Sequence, residues 1–401
     1  MQRLARYAAP AALVLCLLPS AVFARIKLIT LPVRERVEIQ LDNPDATLVE
    51  EERVVPLVKG ENQVDFSWAN TNIDPGTIVF RVIGPGEGKA VDAKVLSVSY
   101  PPGEAALVWT VAATDSGSAR VRISYLLGNL NKSFAYRATA SNDETTLDLS
   151  QYMRLQNLAN EEYGSTELWA GFGKEFLKPI GINETKEMLM NRFAQVPIRK
   201  TYTCNPQEFD YLDRGQNKLR VPMHYVIKND KASKLGAASL PAGKVRIFIQ
   251  GAGANAESAT AFLGEDWGKF TPIDDEMRLY LGVAQDIVVQ RTIERRDQTR
   301  VAGNLYNREI IIKYEVENFK PQPVTLDVAE SISFVRNEIF GDNGREIQWE
   351  LGPQTTFQGG PDAEKSSIDK VLFHAPLPAK SADGKAIKTI LKLHLILKNE
   401  W

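Results

Sequence analysis

Apolar and polar residues alternate with period two along much of the chain. Between Gly243 and Gln250, Val245, Ile247 and Ile249 alternate with Lys244, Arg246 and Gln250, and Phe248 is the one apolar residue on the polar side. A strand turns successive side chains to opposite faces, so this spacing predicts a strand with one buried face. Ile310, Ile312, Tyr314 and Val316 repeat it against Glu309, Lys313, Glu315 and Glu317. So do Leu391, Leu393, Leu395 and Leu397, set between Lys392, His394 and Lys398, which makes His394 read as a solvent-facing position. Breaks between the runs have turn chemistry: Pro241-Ala242-Gly243, Asp342-Asn343-Gly344, Gly352-Pro353 and Ser381-Ala382-Asp383-Gly384. Many short strands separated in this way predict β-sandwiches.

Further strand-like runs cover residues 33–41, 47–58, 77–83, 91–100, 106–113 and 120–127. Helical periodicity is scarce. Glu184 to Phe193 reads as a short connecting helix, capped by Asn183 and striped by Met188, Leu189 and Phe193, inside a long connection from Lys178 to about Arg199. The expected class is therefore all-β, with two or three β-sandwich-like domains, mainly antiparallel strands and few short helices. Tyr100-Pro101-Pro102-Gly103 reads as a linker, which gives a small N-terminal β-domain over 25–105 and larger β domain material over 106–401.

The N-terminus decides the compartment. Arg3 and Arg6 precede an apolar stretch from Ala11 to Leu18, Pro19 and Ser20 break it, and Ala24 offers a small residue for cleavage before Arg25. This predicts a signal peptide over 1–24, because the apolar stretch is far short of the roughly 20 residues a spanning helix needs. Leu15 before Cys16 argues against a lipid anchor there, and no later segment is apolar for long enough to span a bilayer. The expected localisation is secreted or periplasmic. With 48 basic and 50 acidic residues in the whole chain, nucleic acid is not an expected partner. Cleavage leaves Cys204 as the one cysteine, read as a lone thiol, buried or shielded, so the fold must rest on apolar burial.

Candidate chemistry is thin. His224, His374 and His394 lie at no metal-ligand spacing, and no Gly-x-Ser-x-Gly elbow is present. Gly251-Ala252-Gly253 with Ala256 lacks the crossover helix of a dinucleotide site and reads as a hairpin loop. Asp274-Asp275-Glu276 lacks the spaced ligands of a calcium loop and reads as a solvated turn. Arg291, Arg295, Arg296 and Arg300 form a local basic patch, read either as a ligand or partner surface or as the exposed end of a long hairpin offset by Glu294 and Asp297. Trp68, Trp109, Trp169, Trp267 and Trp349 offer sugar-stacking rings or core. Asn131-Lys132-Ser133 and Asn183-Glu184-Thr185 are sequons for a glycosylating host.

Leu240-Pro241-Ala242-Gly243 with Val245-Arg246-Ile247, then Phe262-Leu263-Gly264-Glu265, Leu281-Gly282, Asp286-Ile287 and Glu317-Asn318, resembles the C-terminal domain of mucoidy-inhibitor-A-like proteins. Upstream, Tyr125 and Tyr136 match the spacing of that family's paired tyrosines, and Asn157 with Glu161-Glu162-Tyr163 resembles its asparagine, acidic and aromatic turn. Val54 to Leu57, Lys59-Gly60-Glu61-Asn62 and Ile73-Asp74-Pro75 are similar to the small β-domain that precedes it. The chain departs at Lys132, where relatives commonly carry tryptophan, and it lacks the coiled coil that many place between the domains. The resemblance implies a domain of unknown function and brings no catalytic residue with it.

These readings converge on a binding or scaffold module of the cell envelope, with an envelope protein or glycan as partner and no cofactor. A hydrolase acting on envelope carbohydrate is the alternative. It would need two carboxylates about 5 to 10 Å apart in a cleft.

Overall fold

The computed structural model describes residues 27–41, 43, 46–86, 91–169, 175–251, 260–341 and 347–400. The expected signal peptide, Cys16, most of the Gly251 to Ala256 loop and the Asp342-Asn343-Gly344 turn lie outside these residues. The chain divides into two compact units, residues 1–131 with 156–184 and residues 132–155 with 185–401.

Unit 1 contains β1 (Lys27–Thr30), β2 (Arg36–Gln40), β3 (Thr47–Leu57), β4 (Gly60–Ser67), β5 (Val79–Pro85), β6 (Ala93–Ser99), β7 (Ala106–Ala113) and β8 (Gly117–Leu127). The chain then forms β9 (Leu130–Ala140) and β10 (Thr146–Asn157), which belong mostly to unit 2, before β11 (Tyr163–Trp169) and β12 (Glu175–Ile180) complete unit 1. One sheet has the order β1-β4-β7-β6 and the other β12-β11-β2-β3-β8-β5. Aromatic rings join them: Trp109 of the first sheet lies 4.6 Å from Phe80 of the second, and Phe66 lies 6.0 Å from Tyr125. Glu51 shares this buried face of β3 with Val49 and Val55. Its carboxylate is matched by Arg34 and, at 3.0 Å, by Arg53, as a charge taken from water requires.

The Tyr100-Pro101-Pro102-Gly103 stretch turns between β6 and β7, which are antiparallel neighbours in one sheet. Glu104 donates its backbone N–H to the Pro101 carbonyl at 3.3 Å. The prolines therefore tighten a hairpin, and the first unit continues past residue 105 to 131 and resumes at 156.

Unit 2 adds β13 (Thr185–Pro197), β14 (Arg199–Cys204), β15 (Tyr211–Asp213), β16 (Lys218–Leu219), β17 (Pro222–Lys228), β18 (Gly243–Gln250), β19 (Thr260–Gly268), β20 (Glu276–Val283), β21 (Ile287–Ala302), β22 (Leu305–Asn318) and β23 (Val324–Ser331). The helix α1 (Ile332–Phe340) follows, then β24 (Gln348–Leu351), β25 (Lys370–Leu377) and β26 (Ile387–Glu400). Three sheets form, in the orders β13-β10-β9-β18-β19, β20-β17-β14-β23-β25 and β15-β16-β21-β22-β26-β24. Pairing is mainly antiparallel; β9 with β18 and β14 with β23 run parallel. The runs expected around 243–250, 310–316 and 391–397 are β18, β22 and β26, in the all-β class that the period-two pattern predicts.

The expected helix at Glu184 to Phe193 is instead strand β13. Met188 and Met190 are buried while Glu187 and Leu189 are exposed, a period of two that Leu189 and Phe193 disguise as a helical stripe. Asn183, expected to cap that helix, has φ of 58° and turns the chain into β13. The true helix α1 begins at Ser331, whose hydroxyl accepts from the Phe334 N–H at 3.1 Å. It buries Ile332, Val335 and Arg336, the last paired with Glu400 at 2.8 Å.

Two glycines in the β18–β19 hairpin separate close packing from open space. A Cβ at Gly243 would overlap the Phe134 carbonyl oxygen of β9, whereas one at Gly264 would meet nothing within 4 Å among the described residues. Gly243→Ala is expected to destabilise unit 2 by about 1–3 kcal/mol, because backbone must move. Gly264→Ala should leave stability unchanged or slightly raised, and urea unfolding of the two variants checks the contrast.

Candidate functional site

The sheet β20-β17-β14-β23-β25 has one face committed to burial. Tyr202 and Cys204 of β14, Leu326 and Val328 of β23 and Phe373 of β25 enter one core, and Tyr225 and Ile227 of β17 with Met277 and Leu279 of β20 enter a second. The registers Lys200↔Tyr225, Tyr225↔Leu279, Tyr202↔Leu326 and Val328↔Phe373 place them all on the same side. Period two then sends Thr201, His224, Arg278, Asp327 and His374 to the other face. A polar sheet face results, built from strands that are far apart in sequence.

A cleft of about 740 Å³ opens where β14 and β23 begin. Residues 199–202 and 322–325 line it, with Asp143 and Glu144 from the β9–β10 turn and Asp362, Glu364 and Lys365 from the segment that leads into β25. That segment is tied down by the Asp362 N–H, which donates to the Leu372 carbonyl at 2.8 Å, and by Lys365, 3.4 Å from Glu276 of β20. Glu144 accepts from Lys200 at 2.6 Å and from the Tyr225 hydroxyl.

His374 is the most constrained group in the cleft. Its Nδ1 lies 2.7 Å from Asp327 and its Nε2 2.9 Å from Asp362, so a carboxylate meets the ring on each side. The hydrogen bond to Asp362 raises the imidazole above its ordinary value near 6.5; partial burial opposes the rise and Asp327 adds to it. The same bond holds the Asp362 carboxyl below the usual range. Protonated His374 is thus a clamp between β23, β25 and the 362–370 segment. Sequence spacing gives no sign of this, since Asp327, Asp362 and His374 come together through strand pairing.

Arg291 is fully buried. Its Nε is 2.7 Å from Glu330, its Nη1 is 2.8 Å from Glu338 of α1, and the Tyr314 hydroxyl also donates to Glu330. Arg291 is therefore no part of a surface patch; β21 carries it on its buried side, where α1 and β23 cover it. Burial raises the Glu330 carboxyl, and Arg291 pulls against that rise. Arg295, Arg296 and Arg300 lie on the exposed distal half of β21, where Arg295 pairs with Asp297 and Arg300 donates to the Gly303 carbonyl at 2.8 Å.

His394, expected to face solvent, is 3% exposed, and its Nδ1 accepts from the Gln354 N–H at 3.4 Å. The turn at Gly352-Pro353 folds over it, so closely that a Cβ on Gly352 would overlap the ring. Burial lowers its pKa. Cys204 is buried, and burial pushes its thiol up. Asp274 turns the chain at φ of 68°, while Glu276 pairs with Arg199 and Lys365. Trp109 is core, and Trp267 is 58% exposed. Among the described residues, no three His, Cys, Asp or Glu side chains gather as a metal site, and no helix is long and apolar enough to cross a membrane. No protein-family model matches the chain, and no curated protein does.

Arg291→Met leaves Glu330 buried without its counter-charge and should cost about 3–5 kcal/mol in urea unfolding. Because the carboxyl can escape only by taking a proton, the loss should grow as pH rises. For His374, NMR titration should show a pKa above 6.5 that falls toward it in Asp362→Asn. The raised imidazole stabilises the fold fully below the unfolded value and loses its effect as pH rises through the folded one, while depressed Asp362 contributes above the ordinary carboxylate range. The clamp is expected to be tightest between about pH 4 and 6.5.

Proposed function

We propose that the chain is an exported, non-enzymatic binding module of the cell envelope, and that the cleft beside His374 takes a hydroxyl-rich polar ligand such as an envelope saccharide. The observation that carries this reading is the occupation of His374 on both nitrogens by Asp327 and Asp362. An imidazole held in this way has no free nitrogen to serve as a general base. The two aspartates are separated by the ring they bind, where a glycosidase needs an open gap that admits a sugar and a water.

Two further acids of the cleft support the same reading. Glu144 is held by Lys200 and Tyr225, and Asp143 by Ser141 and Thr145. These paired groups still offer acceptor lone pairs, and Lys200 and Arg199 offer donors, which suits recognition of hydroxyls. Export is supported by the pattern of residues 1–24.

A glycan microarray probed with the purified chain, run beside a reducing-end assay on the same glycans, tests the proposal. Binding to a defined subset is expected, with no release of reducing ends, and His374→Ala should weaken it roughly tenfold or more. Steady release of reducing ends that His374→Ala abolishes would instead establish the hydrolase.

A further inference from the structure

A second recess, of about 240 Å³, lies on the same polar sheet face and shares Arg199, Thr201, Asp327 and Lys365 with the cleft. It is lined by four cations, Arg199, Arg278, Lys365 and Lys370, against three carboxylates, Glu208, Glu276 and Asp327. Glu276 is shared by two cations, Arg199 at 3.6 Å and Lys365 at 3.4 Å. Asp327 is taken by His374 at 2.7 Å. Glu208 accepts from the Asn205 side chain at 3.1 Å. Arg278 and Lys370 have no carboxylate within ion-pair distance among the described residues; the guanidinium of Arg278 reaches only the Thr203 hydroxyl, at 3.4 Å.

A buried polar atom points to the same place. Thr201 is 4% exposed and lines both hollows, and its Oγ1 has no hydrogen-bond partner among the described residues. Across the strand pair, His224 faces Thr201 and its Nδ1 is likewise buried and unpartnered. A buried hydroxyl without a partner costs about 1–3 kcal/mol, and two such atoms side by side in a core would be an unexplained loss. Beside a recess that holds one cation more than it has carboxylates, the Thr201 hydroxyl is a donor awaiting an acceptor.

We propose that this recess is an anion subsite, in which Arg278, Lys370 and the Thr201 hydroxyl receive a carboxylate or phosphate oxyanion of the ligand whose hydroxyl-rich part lies in the adjoining cleft. The subsite deepens the saccharide reading and rests on it: the ligand class becomes an acidic saccharide or a sugar phosphate. Guanidinium and ammonium groups suit either oxyanion, and charge-assisted hydrogen bonds are the stronger kind. The specificity is for charge, because a neutral sugar leaves both cations without a partner.

The test is NMR titration of the isotopically labelled chain with methyl glucuronide, methyl glucoside and inorganic phosphate in parallel. The glucuronide or phosphate should shift Thr201 and Arg278 and bind at least tenfold more tightly than the glucoside, with affinity falling as salt rises. Preference for glucuronide identifies a sugar carboxylate, and preference for phosphate identifies a phosphate ester. Arg278→Gln and Lys370→Gln should each weaken that binding roughly tenfold while leaving thermal unfolding unchanged, since both side chains are exposed. Thr201→Val is the discriminating variant: removing an unpartnered hydroxyl should leave the fold as stable or more so, yet lower affinity for the anion. Glucoside binding equal to glucuronide, unaltered by Arg278→Gln and Lys370→Gln, would overturn the anion subsite and leave the cleft standing. No shift at Thr201 or His374 with any of the three would overturn both.

Discussion

The site rests on one constraint, the burial of a single face of the sheet β20-β17-β14-β23-β25 against two cores. Once Tyr202, Cys204, Leu326, Val328 and Phe373 are fixed in one core and Tyr225, Ile227, Met277 and Leu279 in the other, the strands have no freedom of register. A slip of one residue would drive Asp327, Arg278 and His374 into apolar surroundings at the cost of several kcal/mol each. The polar face is thus set by the apolar one. His374 meets Asp327 because Val328 pairs with Phe373 one position away, and a change deep in the core would disturb the cleft without touching it.

That constraint explains what could be read from the sequence. Alternation in β18, β22 and β26 is visible because each has one face in a core, and the all-β class follows. The same rule misplaces His394, since a strand pattern says which side a residue takes but not whether a distant turn covers that side. The turn at Gly352 does so here. In β13, exposed Leu189 and half-buried Phe193 gave an accidental helical spacing, and the true helix α1 carries a polar cap and a buried Arg336 that no apolar stripe announces. Glu51, Arg291 and Glu330 were equally hidden: each is a charge placed by period two on a buried side, made tolerable by a partner 17 or 39 residues away.

The cleft was invisible for a related reason. Its groups belong to strands joined by non-local pairing, so no spacing in the chain reports them. What was legible was the shortage of residues for nucleophilic or metal chemistry. The one histidine that lines the cleft is held as a clamp between Asp327 and Asp362. The buried pair Arg291 and Glu330 serves a comparable end. It joins β21 to β23, and through Glu338 to α1, a directional bond where apolar packing alone would allow several arrangements.

The path of the chain between the units has a consequence for how the protein is made. Residues 132–155 form part of unit 2, yet β11 and β12, which complete a sheet of unit 1, come after them. On a growing chain, unit 1 therefore cannot close until residue 180 has emerged. By then β9 is already out, and its parallel neighbour β18 lies about a hundred residues further on. A hairpin with an unpaired edge must wait through the interval, the kind of exposure that invites wrong pairing during synthesis. Assembly is accordingly coupled in time: neither unit is a module that can finish by itself before the other begins.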